Sequence, residues 1–235
     1  MSPYSDLRRQ VLEANLEIVR AGLVVLTFGN VSGVDRDAGV MAIKPSGVPY
    51  ESLSADAIVV VELESGAVVA GEARPSSDTP THLVLYGAFP GVGGIVHTHS
   101  PYATAWAQAC RELPCFGTTH ADHFDGPVPV TRPLRSEEID GDYERLTGEV
   151  IVEELARLDV DPLARPAVLV AAHGPFAWGA DVATAVENAV ALEAVAASAF
   201  RTELLRPGVE PIGDDLRARH FSRKHGPAAY YGQQQ

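Results

Sequence analysis

Two histidines separated by one residue stand at the end of an apolar run, in the segment GGIVHTHSPYATAW. In an extended strand alternate side chains point to the same face, so His97 and His99 would project together into one small space. A third histidine, His173, ends another apolar run, PAVLVAAHG. Three imidazoles can hold one zinc ion and leave a coordination position open, as a catalytic metal requires. The pattern therefore predicts a metal site, although a single histidine at a strand end is more often a hydrogen-bonded core residue.

A carboxylate preceded by two serines stands in the segment RPSSDTPTH. Asp78 directly precedes a predicted helix, where it would serve as an N-cap, and this role does not exclude one near a metal. Ser76 and Ser77, with free backbone N–H groups at the same helix start, would accept a phosphate group. We therefore predict an anion site beside the carboxylate.

Two other glycine-containing loops have residue types that suit the same anion site. The segment FGNVSG places Asn30 between glycines, which allow close backbone approach. The segment IKPSG combines Lys44 with Ser46 and Gly47. Either loop taken alone is more simply explained as an ordinary turn.

The composition is that of a globular protein with a sizeable core, since 46% of the 235 residues are hydrophobic and 21% are charged. A net charge of −13 argues against nucleic acid or an anionic membrane as the main partner. The segment MSPYSDLRRQ lacks the apolar core of a signal peptide, and no run of about 18 apolar residues occurs. Cys110 and Cys115 fit reduced structural thiols better than a metal or redox pair. We expect a cytoplasmic enzyme.

The pattern of apolar residues predicts strands and helices that alternate along the chain. Helices are predicted at SDLRRQVLEANLEIVRAG, with Ser5 as the N-cap, and at TPTHLVLYGAF, PYATAWAQACREL, EEIDGDYERLTGEVIVEELARL and DVATAVENAVALEAVAASAFRTELL. Strands are predicted at GVMAIK, DAIVVVEL, VVAGE, GGIVHTH and PAVLVAAHG. The segment ESGA predicts a hairpin turn, so we expect a mixed sheet with helices on both faces.

Seven short motifs occur in one order over nearly the whole chain: GNVSGVD, IKPSGV, PSSDTPTH, GGIVHTHS, GTTHAD, HGPFAWG and KHGPAAYYGQ. Together they resemble the class II aldolase/epimerase family, and within it the epimerases that act on pentulose phosphates. The resemblance implies one α/β domain over residues 1–235, with three α/β/α layers around a mixed, mostly antiparallel sheet. It also implies a homotetramer with active sites between neighbouring subunits.

The resemblance further implies roles for individual residues. Zn²⁺ would be the cofactor, with Mn²⁺ or Co²⁺ as alternatives, and the metal group would be His97, His99, His173 and, at or near the metal, Asp78. The substrate contacts would be Asn30, Lys44, Ser46, Gly47, Ser76, Ser77, Thr118, His220 and Arg223. Asp122 and Tyr231 would be the acid/base pair, and the C-terminal tail, residues 220–235, would contribute to the active site.

The implied reaction is inversion at C4 of a pentulose phosphate. The C4 hydrogen is not adjacent to the C2 carbonyl, so the C3–C4 bond must break and re-form, with Lewis-acid stabilisation of the enediolate by zinc. Two proton-transfer groups are then needed, one for each orientation of the C4 oxygen. The alternatives are a sugar-phosphate aldolase, such as one acting on fuculose phosphate, and a non-catalytic scaffold similar to the adducin head. The aldolases carry Glu where this chain has Asp78, which favours an epimerase.

Overall fold

The computed structural model describes residues 4–226 and 229–230. The strands are β1 (Asn30–Asp35), β2 (Val40–Ile43), β3 (Val59–Glu62), β4 (Val68–Ala70), β5 (Gly94–His97), β6 (Ala167–Leu169) and β7 (Pro175–Gly179). The helices are α1 (Ser5–Arg20), α2 (Thr79–Ala88), α3 (Pro101–Gln108), α4 (Thr118–Ala121), α5 (Ser136–Ile139), α6 (Tyr143–Leu158), α7 (Val182–Leu205) and α8 (Asp214–His225).

The seven strands form one sheet in the order β4-β3-β2-β1-β5-β7-β6. Every neighbouring pair of these strands is antiparallel. A single parallel bridge, between Val130 and Leu169, lies outside the paired strands. The expected α/β class and mostly antiparallel sheet are confirmed, and the early hairpin connects β3 to β4 as predicted.

Both faces of the sheet are covered by helices. Successive side chains of a strand point to opposite faces, and because the central strands β5 and β7 are almost entirely apolar, both faces must be shielded from water. On one face Val31, Val96 and Ala177 pack against α1, α3 and α7. On the other face Ile95 and Trp178 belong to a second core that includes residues of α2 and α6. The chain therefore has three layers, and β1, β5 and β7 are buried at their centre.

A row of glycines allows α7 to approach the sheet closely. Gly33 pairs with Gly94, and Gly94 pairs with Gly179, so the three glycines lie side by side on β1, β5 and β7. A methyl group at any of them would lie 2.5 or 2.6 Å from an atom of α7. This close approach explains why the first turn of α7 rests directly on the central strands.

The helix α7 has the length and composition of a membrane span, and half of its apolar window is buried inside the protein. Its buried side chains belong to the core beneath β5 and β7, and polar residues such as Glu187 and Glu193 interrupt its sequence. Its apolar character is therefore explained by packing in the core.

Several predicted elements have different bounds in the structure, and the strand GGIVHTH, for example, ends at His97. Ser5 is the first helical residue rather than the N-cap, and Tyr4 before it is left-handed. The segment EEIDGDYERLTGEVIVEELARL forms two helices because Asp142, with φ −85° and ψ 72°, leaves the helical region. Helix α3 ends at Gln108, and the strand PAVLVAAHG ends at Leu169. His173 therefore lies in the turn between β6 and β7.

Replacement of Gly94 by Ala should destabilise the fold. The added methyl group would lie 2.5 Å from Val182 Cα and 2.8 Å from the Asp181 carbonyl oxygen, and backbone atoms cannot move aside cheaply. We expect the free energy of unfolding to fall by about 1–3 kcal/mol, measured by urea denaturation. Gly87→Ala is the matched control, because Gly87 lies in α2 with open space around it and should gain up to about 1 kcal/mol. Equal stability of the Gly94→Ala variant and the wild type would contradict the packing argument.

Candidate active site

Three histidines converge at one end of the central strands. His97 is the last residue of β5, His99 follows two residues later, and His173 lies in the turn before β7. One ring nitrogen from each imidazole can be chosen so that all lie within 4.8 Å of one another. The ring centroids are 4.9, 5.0 and 5.1 Å apart. The structure thus brings together the three residues that the sequence singled out, and their donor set fits a divalent metal ion such as zinc.

The ring of His97 is held in one orientation by the neighbouring strand. Its Nδ1 lies 2.9 Å from the carbonyl oxygen of Pro175, and its ring stacks on Phe176 at a centroid distance of 4.2 Å. Gly174 allows this close packing, because a methyl group there would lie 2.9 Å from the carbonyl oxygen of Thr98. An N–H at Nδ1 that donates to Pro175 leaves Nε2 of His97 as the ligand atom.

The imidazoles of His99 and His173 are neutral at ordinary pH. Burial lowers the pKa of His173 to about 4, with a further contribution from the other two histidines. Burial, followed by the proximity of His97, also lowers the pKa of His99. A neutral imidazole is the form that binds a metal ion, so neither ring would need to lose a proton first.

Asp78 stands before α2, but its side chain does not cap the helix. The carboxylate accepts a hydrogen bond of 2.7 Å from the side-chain amide of Asn30 instead. Burial favours the protonated carboxyl group, yet His97, His82 and the Asn30 hydrogen bond outweigh burial and lower the pKa of Asp78. Asp78 thus occupies the predicted N-cap position without a side-chain cap hydrogen bond, and its carboxylate shares a cavity with the histidines.

Strand pairing explains how Asn30 reaches this position. Asn30 is the first residue of β1 and lies opposite His97 in the antiparallel register. Its amide also donates to the Ser76 hydroxyl at 3.1 Å, and its own Oδ1 is buried with no hydrogen-bond partner among the described residues. Asn30 thus links the carboxylate to the serine loop and keeps one acceptor free beside the histidines.

The two serine-containing loops predicted for the anion site, IKPSG and RPSSD, lie next to each other. The Ser46 N–H donates to the Arg74 carbonyl oxygen at 2.9 Å, and the Ser76 N–H donates to the Lys44 carbonyl oxygen at 3.0 Å. Gly47, with φ +69°, makes the left-handed turn that its loop requires. These bonds bring two serine-containing loops to the start of α2, where helix N–H groups favour an anion.

Lys44 is a buried cation at the same place. Its ammonium group lies 4.7 Å from the centre of the Tyr50 ring and 3.3 Å from the Pro45 carbonyl oxygen. Burial lowers the pKa of Lys44. No carboxylate pairs with this ammonium group in the described hydrogen bonds, so its charge is available to an anion.

The histidines, Asp78 and the two loops surround one cavity of about 430 Å³. The predicted residues that line it are Asn30, Lys44, Ser46, Gly47, Ser76, Ser77, Asp78, His97, His99 and His173. The lining also includes Phe28, Tyr143 and Glu144, which sequence reasoning missed. The predicted helix EEIDGDYERLTGEVIVEELARL has Tyr143 and Glu144 in its interior. Only Gly141 and Asp142, directly before them, indicate a break in that helix.

Four other predicted residues lie apart from this cavity. Asp122 follows α4, and its carboxylate accepts hydrogen bonds from Arg223 at 2.7 and 2.9 Å and from His220 at 3.0 Å. Thr118 begins α4, one turn earlier. None of these four described residues lines the cavity. Tyr231 lies outside the described residues.

Asp122 is ionised through its contacts with α8. Burial favours the protonated form, but hydrogen bonds from Arg223 and then His220 outweigh it and lower the pKa of Asp122. A lowered folded-state pKa stabilises the protein above the unfolded value, and this contribution is lost as the pH falls through the folded value. Attachment of α8 through Asp122 should therefore persist at neutral pH and weaken in acid.

The helix α8 is attached by polar contacts, because no residue of this described helix is buried. Arg217 pairs with Asp125, and Lys224 pairs with Glu187 at 2.9 Å. The His225 Nε2 lies 2.9 Å from the Asp122 carbonyl oxygen. Ion pairs contribute little where one partner remains accessible to water, as Asp125 and Glu187 do, so these two pairs are a weak anchor.

A larger cavity of about 610 Å³ lies between α1 and the start of α7. Its lining includes Arg9, Glu13 and Val186 but none of the predicted site residues among those described. The smaller cavity is the candidate active site because, of these two cavities in the described part of the chain, it is the one that brings together histidines, a carboxylate and a buried cation.

Comparison with known proteins shows which family the chain belongs to. The model of the family described as "Class II Aldolase and Adducin N-terminal domain" matches residues 9–200. The L-ribulose-5-phosphate 4-epimerase UlaF of Salmonella paratyphi A is 54% identical over 97% of this chain and 98% of that protein. A solved L-fuculose 1-phosphate aldolase is 25% identical with a TM-score of 0.77, covering 93% of this chain and 95% of its own. The solved structure of YgbL from Escherichia coli, a putative aldolase/epimerase/decarboxylase, is 24% identical with a TM-score of 0.72. The match covers 92% of this chain and 97% of that chain.

High salt should loosen α8 while leaving the rest of the fold intact. At 1 M salt the screening length falls to about 3 Å, which weakens exposed ion pairs. We expect proteolytic cleavage within α8 to be about fivefold faster in 1 M than in 0.05 M NaCl, the factor that corresponds to a loss of about 1 kcal/mol.

Glu187→Gln should accelerate the same cleavage at low salt, since it removes the carboxylate that pairs with Lys224. Glu17→Gln removes an exposed ion pair with Arg20 on α1 and serves as the control. Cleavage in α8 that is insensitive to both salt and Glu187→Gln would show that ion pairs do not hold this helix.

Proposed function

The chain belongs to the class II aldolase and adducin N-terminal domain family, and we propose that it is an L-ribulose-5-phosphate 4-epimerase. The proposed reaction interconverts L-ribulose 5-phosphate and D-xylulose 5-phosphate by inversion at C4. Its 54% identity to an epimerase of that name over nearly the full length of both chains supports the proposal. We propose that residues 1–235 act as one domain, in the cytoplasm.

The observation that carries the proposal is a single cavity in which a metal-competent histidine group faces an anion site. His97, His99 and His173 fit a divalent ion, for which we propose Zn²⁺, with Mn²⁺ or Co²⁺ as alternatives. The serine loops and Lys44 lie on the same cavity. A sugar phosphate has the two features that such a site recognises, an oxygen-rich carbonyl end and a phosphate.

The two ends of the substrate are held by different residues in this proposal. The phosphate contacts Ser46, Gly47, Ser76 and Ser77, with the Lys44 ammonium group nearby. Asn30 holds the Asp78 carboxylate by a hydrogen bond, and its free Oδ1 can accept a bond from a substrate hydroxyl. Lewis-acid stabilisation of charge on the C2 and C3 oxygens is the chemistry that a bound divalent ion supplies.

Proton transfer at the C4 oxygen requires two further groups. One group removes the C4 hydroxyl proton, and the C3–C4 bond breaks to leave an enediolate and glycolaldehyde phosphate. The aldehyde, still held by its phosphate, turns over its carbonyl face, the bond re-forms, and the second group returns a proton to the C4 oxygen. We propose Asp122 and Tyr231 for these roles, one on each side of the carbonyl plane.

The acid/base pair is proposed to come from a neighbouring subunit of a homotetramer. Asp122, His220, Arg223 and Thr118 do not line the histidine cavity among the described residues. Assembly would bring this second cluster, with the tail over residues 220–235, onto the cavity of the next subunit. The Arg223 and His220 hydrogen bonds would then hold the Asp122 carboxylate in place for proton transfer.

Cleavage without re-addition is the alternative activity, because the fold matches that of an L-fuculose 1-phosphate aldolase. Both reactions break a carbon–carbon bond next to the same kind of metal site. They differ in their product, since an aldolase releases the aldehyde phosphate and an epimerase retains it.

Purified protein should convert L-ribulose 5-phosphate to D-xylulose 5-phosphate, measured by a coupled assay. His97→Asn should lose both bound metal and at least about 100-fold of the activity, because it removes a ligand at the centre of the group. Chelator-treated wild type should recover with Zn²⁺, whereas His97→Asn should not. Free glycolaldehyde phosphate as the main product would favour the aldolase, and full metal content in His97→Asn would contradict direct ligation.

Mixing two inactive variants should restore activity if the site is shared between subunits. Asp122→Asn chains keep an intact histidine group, and His97→Asn chains keep an intact Asp122. After subunit exchange, some interfaces would pair an intact histidine group with an intact Asp122, so partial activity should return. Each variant exchanged with itself is the control. Confirmed exchange without activity would place both residues in one subunit's site.

A further inference from the structure

Two of the three imidazoles have their Nδ1 atoms in contact with other protein groups. His97 Nδ1 lies 2.9 Å from the Pro175 carbonyl oxygen, and His173 Nδ1 lies 3.4 Å from the hydroxyl of Tyr143. The Tyr143 ring is 6.3 Å from that of His173 and tilted by 34°, so the two residues meet through the hydroxyl rather than by stacking. These contacts occupy Nδ1 of both histidines and leave Nε2 of each available as a ligand atom.

We propose that Tyr143 is a positioning residue that orients His173 for metal binding. Its phenolic oxygen accepts the Nδ1–H of His173, which fixes the tautomer and the ring orientation and leaves the Nε2 lone pair for the metal. The inference rests on the proposed metal site. A ligating imidazole carries its proton on the other nitrogen, and an acceptor for that proton raises metal affinity.

The position of Tyr143 is determined by the packing of α6 against α2. Tyr143 is the first residue of α6, and the Thr147 hydroxyl donates to its carbonyl oxygen at 2.8 Å. The Thr81 hydroxyl of α2 donates to the carbonyl oxygen of Glu144 at 2.5 Å. Thus α2 carries Asp78 at its start and also anchors the first turn of α6.

A glycine in α6 allows α6 and α2 to pack closely against each other. A methyl group at Gly148 would lie 2.7 Å from Val84 Cβ and 3.1 Å from the Thr81 carbonyl oxygen. The first turn of α6 cannot move away from α2 without breaking this packing. The Tyr143 hydroxyl is therefore presented to His173 by a rigid pair of helices, as an orienting group requires.

The test is Tyr143→Phe, which removes the hydroxyl and keeps the half-buried ring. Zinc ion alone is titrated into metal-free protein in competition with a chromophoric chelator. We expect the Kd for Zn²⁺ to rise by about 10–100-fold, the usual effect of losing a partner of a ligating histidine. The melting temperature of the metal-free variant should match that of the wild type.

Tyr102→Phe is the matched control. The Tyr102 hydroxyl accepts a hydrogen bond from Arg201 at 3.1 Å, away from the histidine group, and its loss should leave the Kd unchanged. As a second readout, the Co²⁺-loaded Tyr143→Phe protein should show an altered visible absorption spectrum, because a reoriented imidazole changes the ligand field.

The outcomes separate this inference from the proposed function. A Kd for Tyr143→Phe within about twofold of the wild type, with an unchanged Co²⁺ spectrum, would overturn the role of Tyr143 while leaving the metal site intact. Equal zinc affinity in the wild type and His97→Asn would instead contradict the metal site itself. A raised Kd in Tyr143→Phe alone, with normal stability, supports the inference.

Discussion

The antiparallel register of β1, β5 and β7 is the constraint on which the rest of the site depends. It places Asn30 opposite His97, and His97 opposite Phe176. A slip of one residue would turn His97 to the other face of the sheet, because side chains alternate along a strand. The Asn30 amide holds Asp78, Phe176 stacks on His97, and the turn that enters β7 carries His173. One ladder of backbone hydrogen bonds thus positions most of the metal-competent group.

The described chain contains two polar clusters with different attachments. The histidine cluster is built on the buried central strands and on α2, which packs on one face of the sheet. The Asp122 cluster depends on α8, which is attached by charged groups such as Arg217 and Arg223 rather than by buried apolar area. A metal site needs ligands that are held rigidly, as the buried strands hold the histidines. The polar attachment of α8 suits the Asp122 cluster, whose residues would reach their final environment only when subunits assemble. This contrast is the physical basis of the proposed shared site.

Much of the site could be predicted because the residue types are diagnostic and follow apolar runs. The H-x-H pair and His173 were identified from the sequence, and ten predicted residues line one cavity. For Asp78 the sequence left a helix-cap role and a role near the metal both open, since a cap and a buried carboxylate have the same local sequence. Tyr143 was missed because the sequence EEIDGDYERLTG supports one long helix unless the break at Asp142 is seen. In both cases the deciding partner is distant along the chain: Asn30 for Asp78 and His173 for Tyr143.

The sequence by itself determined the α/β class, the order of most elements and the chemistry of the histidine group. These follow from local periodicity and from what imidazoles, serines and carboxylates can do. Only the tertiary structure decided which groups meet: Asn30 with Asp78, Tyr143 with His173, and Arg223 with Asp122. Such pairings depend on strand register and on the packing of α2 against α6 and of α8 against α4. Those contacts join residues 30 to about 100 positions apart, where local sequence carries no information about distance.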